Sequence, residues 1–357
     1  MFDLKSHLRA LVNAHGPSGH EAPVRALLRE AWAELVDEFR EDGLGSLIGI
    51  RRATHPLETP RRIMLAAHKD EIALMVTDLR DGFLRVQKVG GMDHRILLAQ
   101  PVLVHGRETL PGVVATKPPH LLTPANRTRY VPMSEILIDV GLPPERVAAL
   151  VRPGDLITLD TPMVELNGTR VAGKAMDDRA CVAAVTFALN ALRGMHHTWD
   201  VYAVATVQEE TGLLGATTSA YSIAPDIAIA LDVGFAPQSG VEADVTIEIG
   251  GGPGIGGGAN FHSKLFDRNR EKAKRYEIKL QDDYIPGASG TDAWAIQVAL
   301  TGVPTALLEI PIRSMHSPVE TADLRDIERC GRLLAHFIAE LDADFLTALA
   351  WDDFKPQ

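Results

Sequence analysis

Four stretches of this chain are apolar without alternation, and each leads into a side chain that can bind a metal ion or move a proton. RIMLAA (62–67) runs into His68, and VYAVATV (201–207) into Glu209-Glu210. IAIAL (227–231) stops at Asp232, and TALLEI (305–310) precedes His316 by a few residues. Strands without a polar face are buried on both sides, which is the pattern of a parallel sheet covered by helices. In open α/β sheets ligands bind beyond the carboxyl ends of the strands, so these side chains are placed to converge. A fifth candidate, Asp177-Asp178, opens a helix-like run, MDDRACVAAVTFALNAL. Two His and several carboxylates, with no Cys among them, suit a pair of divalent ions such as zinc, cobalt or manganese.

The remaining sequence narrows the class. With 357 residues the chain has room for two domains. Its 36 Lys and Arg against 47 Asp and Glu leave a net charge of −11, and no basic stripe with interleaved aromatics points to a nucleic-acid partner. The most basic stretch, RNREKAKR (268–275), reads as a solvated helix face. Cys181 and Cys330 are the two cysteines, without metal-ligand spacing and in helix-like apolar contexts, so they read as core fillers in a reducing compartment. No signal peptide or membrane-spanning run is evident, and a cytoplasmic protein without a membrane partner is expected.

Helical spacing of apolar residues predicts two helices before residue 39, split by Gly16-Pro17-Ser18-Gly19-His20-Glu21. Ser18 and Glu21 have capping-box spacing, and His20 beside them reads as structural. Residues 71–165 change texture: short alternating runs broken by Asp81-Gly82, Gly90-Gly91, Pro111-Gly112 and Pro153-Gly154 predict a β-rich module with strand edges to cover. Strand and helix alternation then resumes, ending in an amphipathic helix over 321–349. The expected architecture is a mixed-sheet α/β catalytic domain, residues 1–70 and 166–357, with the β-rich domain 71–165 inserted.

From the residues alone, some roles stay open. His68-Lys69-Asp70-Glu71 is either a ligand with its support, Asp70 orienting His68, or an exposed strand end. Asp177 is either a helix cap or a carboxylate bridging two ions, whereas Asp178 fits a cap. Glu209-Glu210 is the most telling pair. Adjacent buried carboxylates cost several kcal/mol per ion unless a cation compensates, and in an extended chain one would ligate while the other acts as a general base. An unpaired Asp232 on a buried strand is similarly expensive. A glycoside hydrolase would have no use for the histidines, and a purely structural site no use for the second glutamate.

GPSGHE, AAHKDEIALMV, GKAMDDR, VQEETGLLGA, IALDVG, ASGTDA and MHSPVE resemble, in order, the signature segments of the M42 family of dinuclear-metal aminopeptidases, over nearly the whole chain. The resemblance implies that His68, Asp177, Glu210, Asp232 and His316 hold two divalent ions, zinc, cobalt or manganese, with Asp177 between them. It also implies that Glu209 is the general base, that Asp70 orients His68, and that the Asp177–Asp178 peptide is cis. Residues from PVLVHGRE to VRPGDLITLD resemble the family's PDZ-like dimerisation module, which implies a dimer-based homo-oligomer, a dodecamer, acting on short peptides. An N-acyl amino acid deacylase with the same centre is the alternative. Lys69, Ala73-Leu74 and Trp294 depart from the family pattern, off the metal set.

Overall fold

The computed structural model describes residues 2–123 and 129–350; residues 124–128 of the expected β-rich module and 351–357 of the expected catalytic part lie outside the described residues. Helices α1 (Leu4–Asn13) and α2 (Ala22–Trp32) precede β1 (Glu38–Glu41), β2 (Leu47–Arg51) and β3 (Arg62–His68). Next come β4 (Ala73–Arg80), β5 (Phe83–Val89), β6 (Pro101–His105), β7 (Thr109–Ala115), β8 (Leu137–Asp139), α3 (Pro144–Leu150) and β9 (Leu156–Leu159). The chain continues through β10 (Val164–Glu165), β11 (Arg170–Gly173), α4 (Met176–Ala191), β12 (Asp200–Thr206), α5 (Leu214–Ile223) and β13 (Ile227–Phe235). It ends with β14 (Gly254–Gly257), α6 (Ser263–Arg275), β15 (Gln281–Tyr284), α7 (Asp292–Gln297), β16 (Thr305–Ile312), β17 (Glu320–Asp323), α8 (Leu324–Ala339) and α9 (Phe345–Ala348).

Among the described residues the main sheet has eight strands in the order β1-β2-β12-β3-β13-β16-β14-β15. The four apolar runs occupy its centre, where β12, β3, β13 and β16 are mutually parallel. β2 and β14 flank them antiparallel, so the sheet is mixed. One face packs on α1, α2, α4 and α8, and the other on α5 and α7. Helix α4 is apolar nearly all round because it is covered on every side. No helix among the described residues is long and apolar enough to cross a membrane.

Strands β4 to β9 close into a barrel in the order β4-β5-β8-β7-β6-β9, around a separate core that includes Leu74, Leu84, Val102, Ile138 and Ile157. Closure corrects one expectation: among the described residues each strand of the ring pairs with a neighbour on both sides, so no strand is left as the edge of an open sheet. Two local expectations also change. Helix α2 begins after Glu21 without a side-chain cap; Glu21 instead accepts from the Gly19 amide, and the Ser18 hydroxyl donates to Asp70. The expected final helix divides into β17, α8 and α9, with β17 joining β11 and β10 in a small sheet.

Candidate metal centre

The candidate side chains reach the centre from five different places in the fold. His68 is the last residue of β3, whereas Asp232 lies inside β13, which continues to Phe235. Asp177 stands at the head of α4, and His316 in the loop between β16 and β17. The Asp177–Asp178 peptide is cis. Glu209 and Glu210 follow β12 in a turn, closed by Gly212 and Leu213 donating to the Glu209 carbonyl. The expected extended placement of that pair is therefore replaced by a turn, which lets both carboxyls face the same cavity.

Asp177 divides its oxygens between the histidines. Its Oδ1 lies 3.0 Å from His68 Nε2, and its Oδ2 lies 3.2 Å from His316 Nε2. His316 Nε2 is also 3.4 Å from Glu210 Oε2, while Glu209 Oε2 is 3.8 Å from His68 Nε2. Two overlapping sets have ligand atoms within 4.8 Å of one another: His68 with Asp177 and Glu210, and His68 with Asp178 and Asp232. The second set corrects the view of Asp178 as a cap. It is fully buried, its Oδ2 accepts from the His68 amide, and its Oδ1 has no hydrogen-bond partner.

Three groups hold this arrangement. Asp70 accepts from the Ser18 hydroxyl at 2.6 Å and from the Glu209 and Glu210 amides at 3.1 and 3.3 Å. It also stands 3.4 Å from His68 Nδ1, close enough for an ion pair but without hydrogen-bond geometry, so the same buried carboxylate holds the glutamate turn and faces the histidine. Glu320 accepts from the His316 amide at 2.8 Å and the Asp177 amide at 3.0 Å. His316 has φ +59, a left-handed conformation uncommon outside glycine, and the Glu320 contact helps to hold it. The Gly91 carbonyl, from the segment after β5, lies 3.1 Å from His316 Nδ1. A carbonyl only accepts, so Nδ1 donates to it, and in the metal-free protein Nε2 also carries a proton toward Asp177 and Glu210, the proton that a bound ion would displace.

The electrostatics show what the donor set lacks. Burial pushes Glu209 up to about 10, with Asp232, Asp292 and Asp177 adding to it against His68. Burial, then Asp177, raises Glu210 to about 8; Asp232 rises to about 8, again first by burial. The hydrogen bond to Asp177 raises His316 to about 9, and His68 is raised by Glu209, Asp177 and Asp70 despite its burial. Protons here supply positive charge to a crowded set of carboxylates. Divalent ions would replace those protons, and the oxygen-rich donors with two imidazoles fit them.

Residues 45–333 match the M42 glutamyl aminopeptidase family. The chain belongs to the M42 family. It is 36% identical over 340 residues to the lysyl aminopeptidase of Pyrococcus furiosus, covering 94% of this chain and 96% of that protein. Its fold is similar to the TET aminopeptidase of the marine-sediment archaeon Thaumarchaeota archaeon SCGC AB-539-E09, with TM-score 0.91 and 33% identity over 97% of this chain and 99% of the other. The TET1 peptidase of Pyrococcus horikoshii, described as assembling into a tetrahedron or a large octahedral shell, is 30% identical with TM-score 0.84, over 95% and 100% of the two chains. The chain is thus an aminopeptidase, and its family implies divalent metal ions.

Sequence reasoning did not assign several residues of this M42 centre. Glu320 sits four positions after His316 inside the quoted MHSPVE, and that short spacing was its one signal. Asp292, from ASGTDA, is buried with Oδ2 accepting from Thr206 at 2.6 Å and Oδ1 unpartnered; nothing in its local pattern announces this. Gly91 acts through its carbonyl, which no side-chain pattern reveals. Glu309, near the end of the apolar run on β16, was read as part of a plain buried strand.

Proposed function

We propose that this aminopeptidase removes N-terminal residues from short peptides, with His68, Asp177, Glu210, Asp232 and His316 holding two divalent ions and Asp177 shared between them. Zinc, cobalt and manganese all suit this donor set. When bound, the ions supply Lewis acidity, polarising the scissile carbonyl and lowering the pKa of water to the neutral range. Glu209, lining the same cavity of about 630 Å³, takes the proton from the attacking water and returns it to the leaving amine. Asp70 holds the backbone of that base and faces His68, so base and ligand keep a fixed separation. Asp178, its Oδ2 engaged by the His68 amide, fixes the end of β3.

The observation that supports this reading is Asp177 placed between His68 and His316, with Glu209 and Glu210 on the same cavity wall. The test is a panel of aminoacyl-p-nitroanilides assayed after exhaustive chelation and after adding back zinc, cobalt or manganese, beside N-acetylated counterparts. Ion-dependent cleavage of the free-amine substrates alone is expected. Cleavage confined to the acylated ones would indicate a deacylase.

The proposal extends to assembly. The barrel carries exposed Val113 on β7, with Leu121 and Tyr130 beyond it, and supplies no candidate ligand. The proposed assembly is a dimer formed through the barrel and built into an even-numbered oligomer of twelve subunits, in keeping with the tetrahedral or octahedral shells described for the P. horikoshii peptidase. Buried, unpaired Cys181 and Cys330 suit a cytoplasmic location.

A further inference from the structure

Glu309 is out of place by every packing criterion. It sits on β16 between Leu308 and Ile310, both fully buried, and is itself only 4% exposed. Its Oε2 has no hydrogen-bond partner. An ionisable group buried in this way is costly unless something completes it.

Its surroundings are acidic. Glu309 pairs in register with Asp232 on β13, and in parallel strands such neighbours project to the same face, roughly 5 Å apart. On the other side it pairs with Gly254 of β14, and Gly256, two residues on, pairs with Asp283 of β15. The strand between the two acids therefore has no side chain on their face. A Cβ on Gly254 would lie 3.6 Å from Glu309 Oε2, and one on Gly234 would lie 3.3 Å from Glu309 Cβ. Ile247 fills the room over both glycines, its Cδ1 2.8 and 2.9 Å from where their Cβ atoms would stand, so Glu309 opens on the other side, where it, Asp283 and the candidate metal ligands Asp177, Glu210, Asp232 and His316 line one cavity.

That cavity contains no Lys or Arg among its described lining residues. Burial holds the Glu309 carboxyl well above the usual range, and Asp283 and Asp232 add to the shift. A third metal ion is a poor occupant, because Glu309 belongs to neither set of side chains able to hold one. A cationic side chain attached to a substrate fits better. Phe235 and Tyr284, on the same cavity, offer aromatic and apolar surface for its stem.

We infer that Glu309, with Asp283 beside it, is the subsite for the side chain of the substrate's first residue, and that it selects lysine or arginine. The inference rests on the aminopeptidase reading and adds the substrate class. A peptide whose N-terminal residue reacts beside Asp232 has its side chain about one strand spacing from Glu309, within reach of the four-carbon stem of lysine. The ammonium or guanidinium then supplies the charge that Glu309 lacks, whereas an N-terminal Glu would be repelled.

The experiment uses the full-length, ion-loaded protein with Lys-, Arg-, Leu- and Glu-p-nitroanilide. Lys and Arg should exceed Leu in kcat/KM by at least about tenfold, with Glu the poorest. In Glu309→Gln and Asp283→Asn the Lys/Leu ratio should fall, at least about tenfold for Glu309→Gln, mainly through KM, with bound metal unchanged by elemental analysis. Calorimetry should find L-lysine binding more tightly than L-norleucine, which has the stem without the charge. A wild-type preference for Leu or Glu, or a Glu309→Gln variant that slows every substrate equally, would overturn the inference. Failure to cleave any free-amine substrate would instead overturn the aminopeptidase reading, and the comparison of lysine with norleucine would still decide the subsite.

Discussion

His316 takes its orientation from the Gly91 carbonyl, 3.1 Å from its Nδ1 and 225 residues away in the chain. The barrel segment thus reaches the candidate metal centre without contributing a ligand. Gly91 also has no room for a side chain, since a Cβ there would lie 2.8 Å from the His316 ring. Gly91→Ala should displace the ring and weaken metal binding by about 10–100-fold, the range for losing an outer partner of a ligand. Metal titration followed by calorimetry measures it. Wild-type affinity in that variant would remove Gly91 from the design of the site.

Glu209→Gln keeps the volume and removes the base. It should lower kcat by about 10²–10⁴-fold while retaining both ions. His68→Ala and Asp232→Asn should instead lose metal, as read by elemental analysis. Should Glu209→Gln lose metal but keep its turnover per bound ion, the roles of Glu209 and Glu210 would be exchanged.

Asp70→Asn tests the positioning group. Asn has one acceptor oxygen where Asp70 uses both, on Ser18 and the 209–210 amides. Activity should fall about 10–100-fold, with circular dichroism unchanged and with a displaced pH profile, since the His68 environment changes. Ser18→Ala should show the same direction with a smaller effect. Equal loss of thermal stability and activity in both variants would reduce the network to a structural one.

The pH dependence of stability should differ with and without metal. Glu210 rises from 4.5 and Asp232 from 3.8, both to about 8, in the metal-free protein. Between those limits the native state binds more protons than the unfolded chain, so their contribution is full at low pH and lost as pH rises through about 8. His316, raised to about 9, acts with the same sign. Asp177 is lowered, because His316 and His68 outweigh its burial, so its contribution is lost only in acid. Chelated protein should therefore show a falling Tm from pH 5 to 9, and the gap to metal-loaded protein should widen across that window. Parallel Tm curves would contradict the charge balance described for the centre.

Light scattering on the purified protein should give an even number of subunits. Val113→Glu combined with Tyr130→Glu should yield smaller particles, because both side chains are exposed on the barrel portion. Unchanged particle mass would place the contact elsewhere.

The central strands were legible because continuous apolarity leaves little else for 62–67, 201–207, 227–231 and 305–310 to become. The structure brings His68, Asp177, Glu209, Glu210, Asp232 and His316 together, since charge placed against apolar strands is expensive and its position is therefore informative. Barrel closure was not legible, as strand order depends on long-range pairing such as β4 with β9. Nor was the use of Ser18, whose spacing to Glu21 suits a cap but whose hydroxyl finds Asp70, 52 positions away. Glu309 escaped notice because one acid in an apolar octapeptide does not alter the strand pattern.

The family match starts at residue 45, yet the frame of the site begins earlier. Arg179, fully buried on α4, donates to the carbonyls of Leu11 and Ala14 and to Glu71, and Lys174 donates to Ala14 and Glu71. The Gly16 amide in turn reaches Glu71 at 2.8 Å. A truncation that trims the protein to its matched region would discard acceptors for two buried cations, together with Ser18. Both cations would keep Glu71, but each lost hydrogen bond to a charged group costs about 1.5–3 kcal/mol. The first helix of the chain is consequently a keystone: the minimal active fragment has to include it.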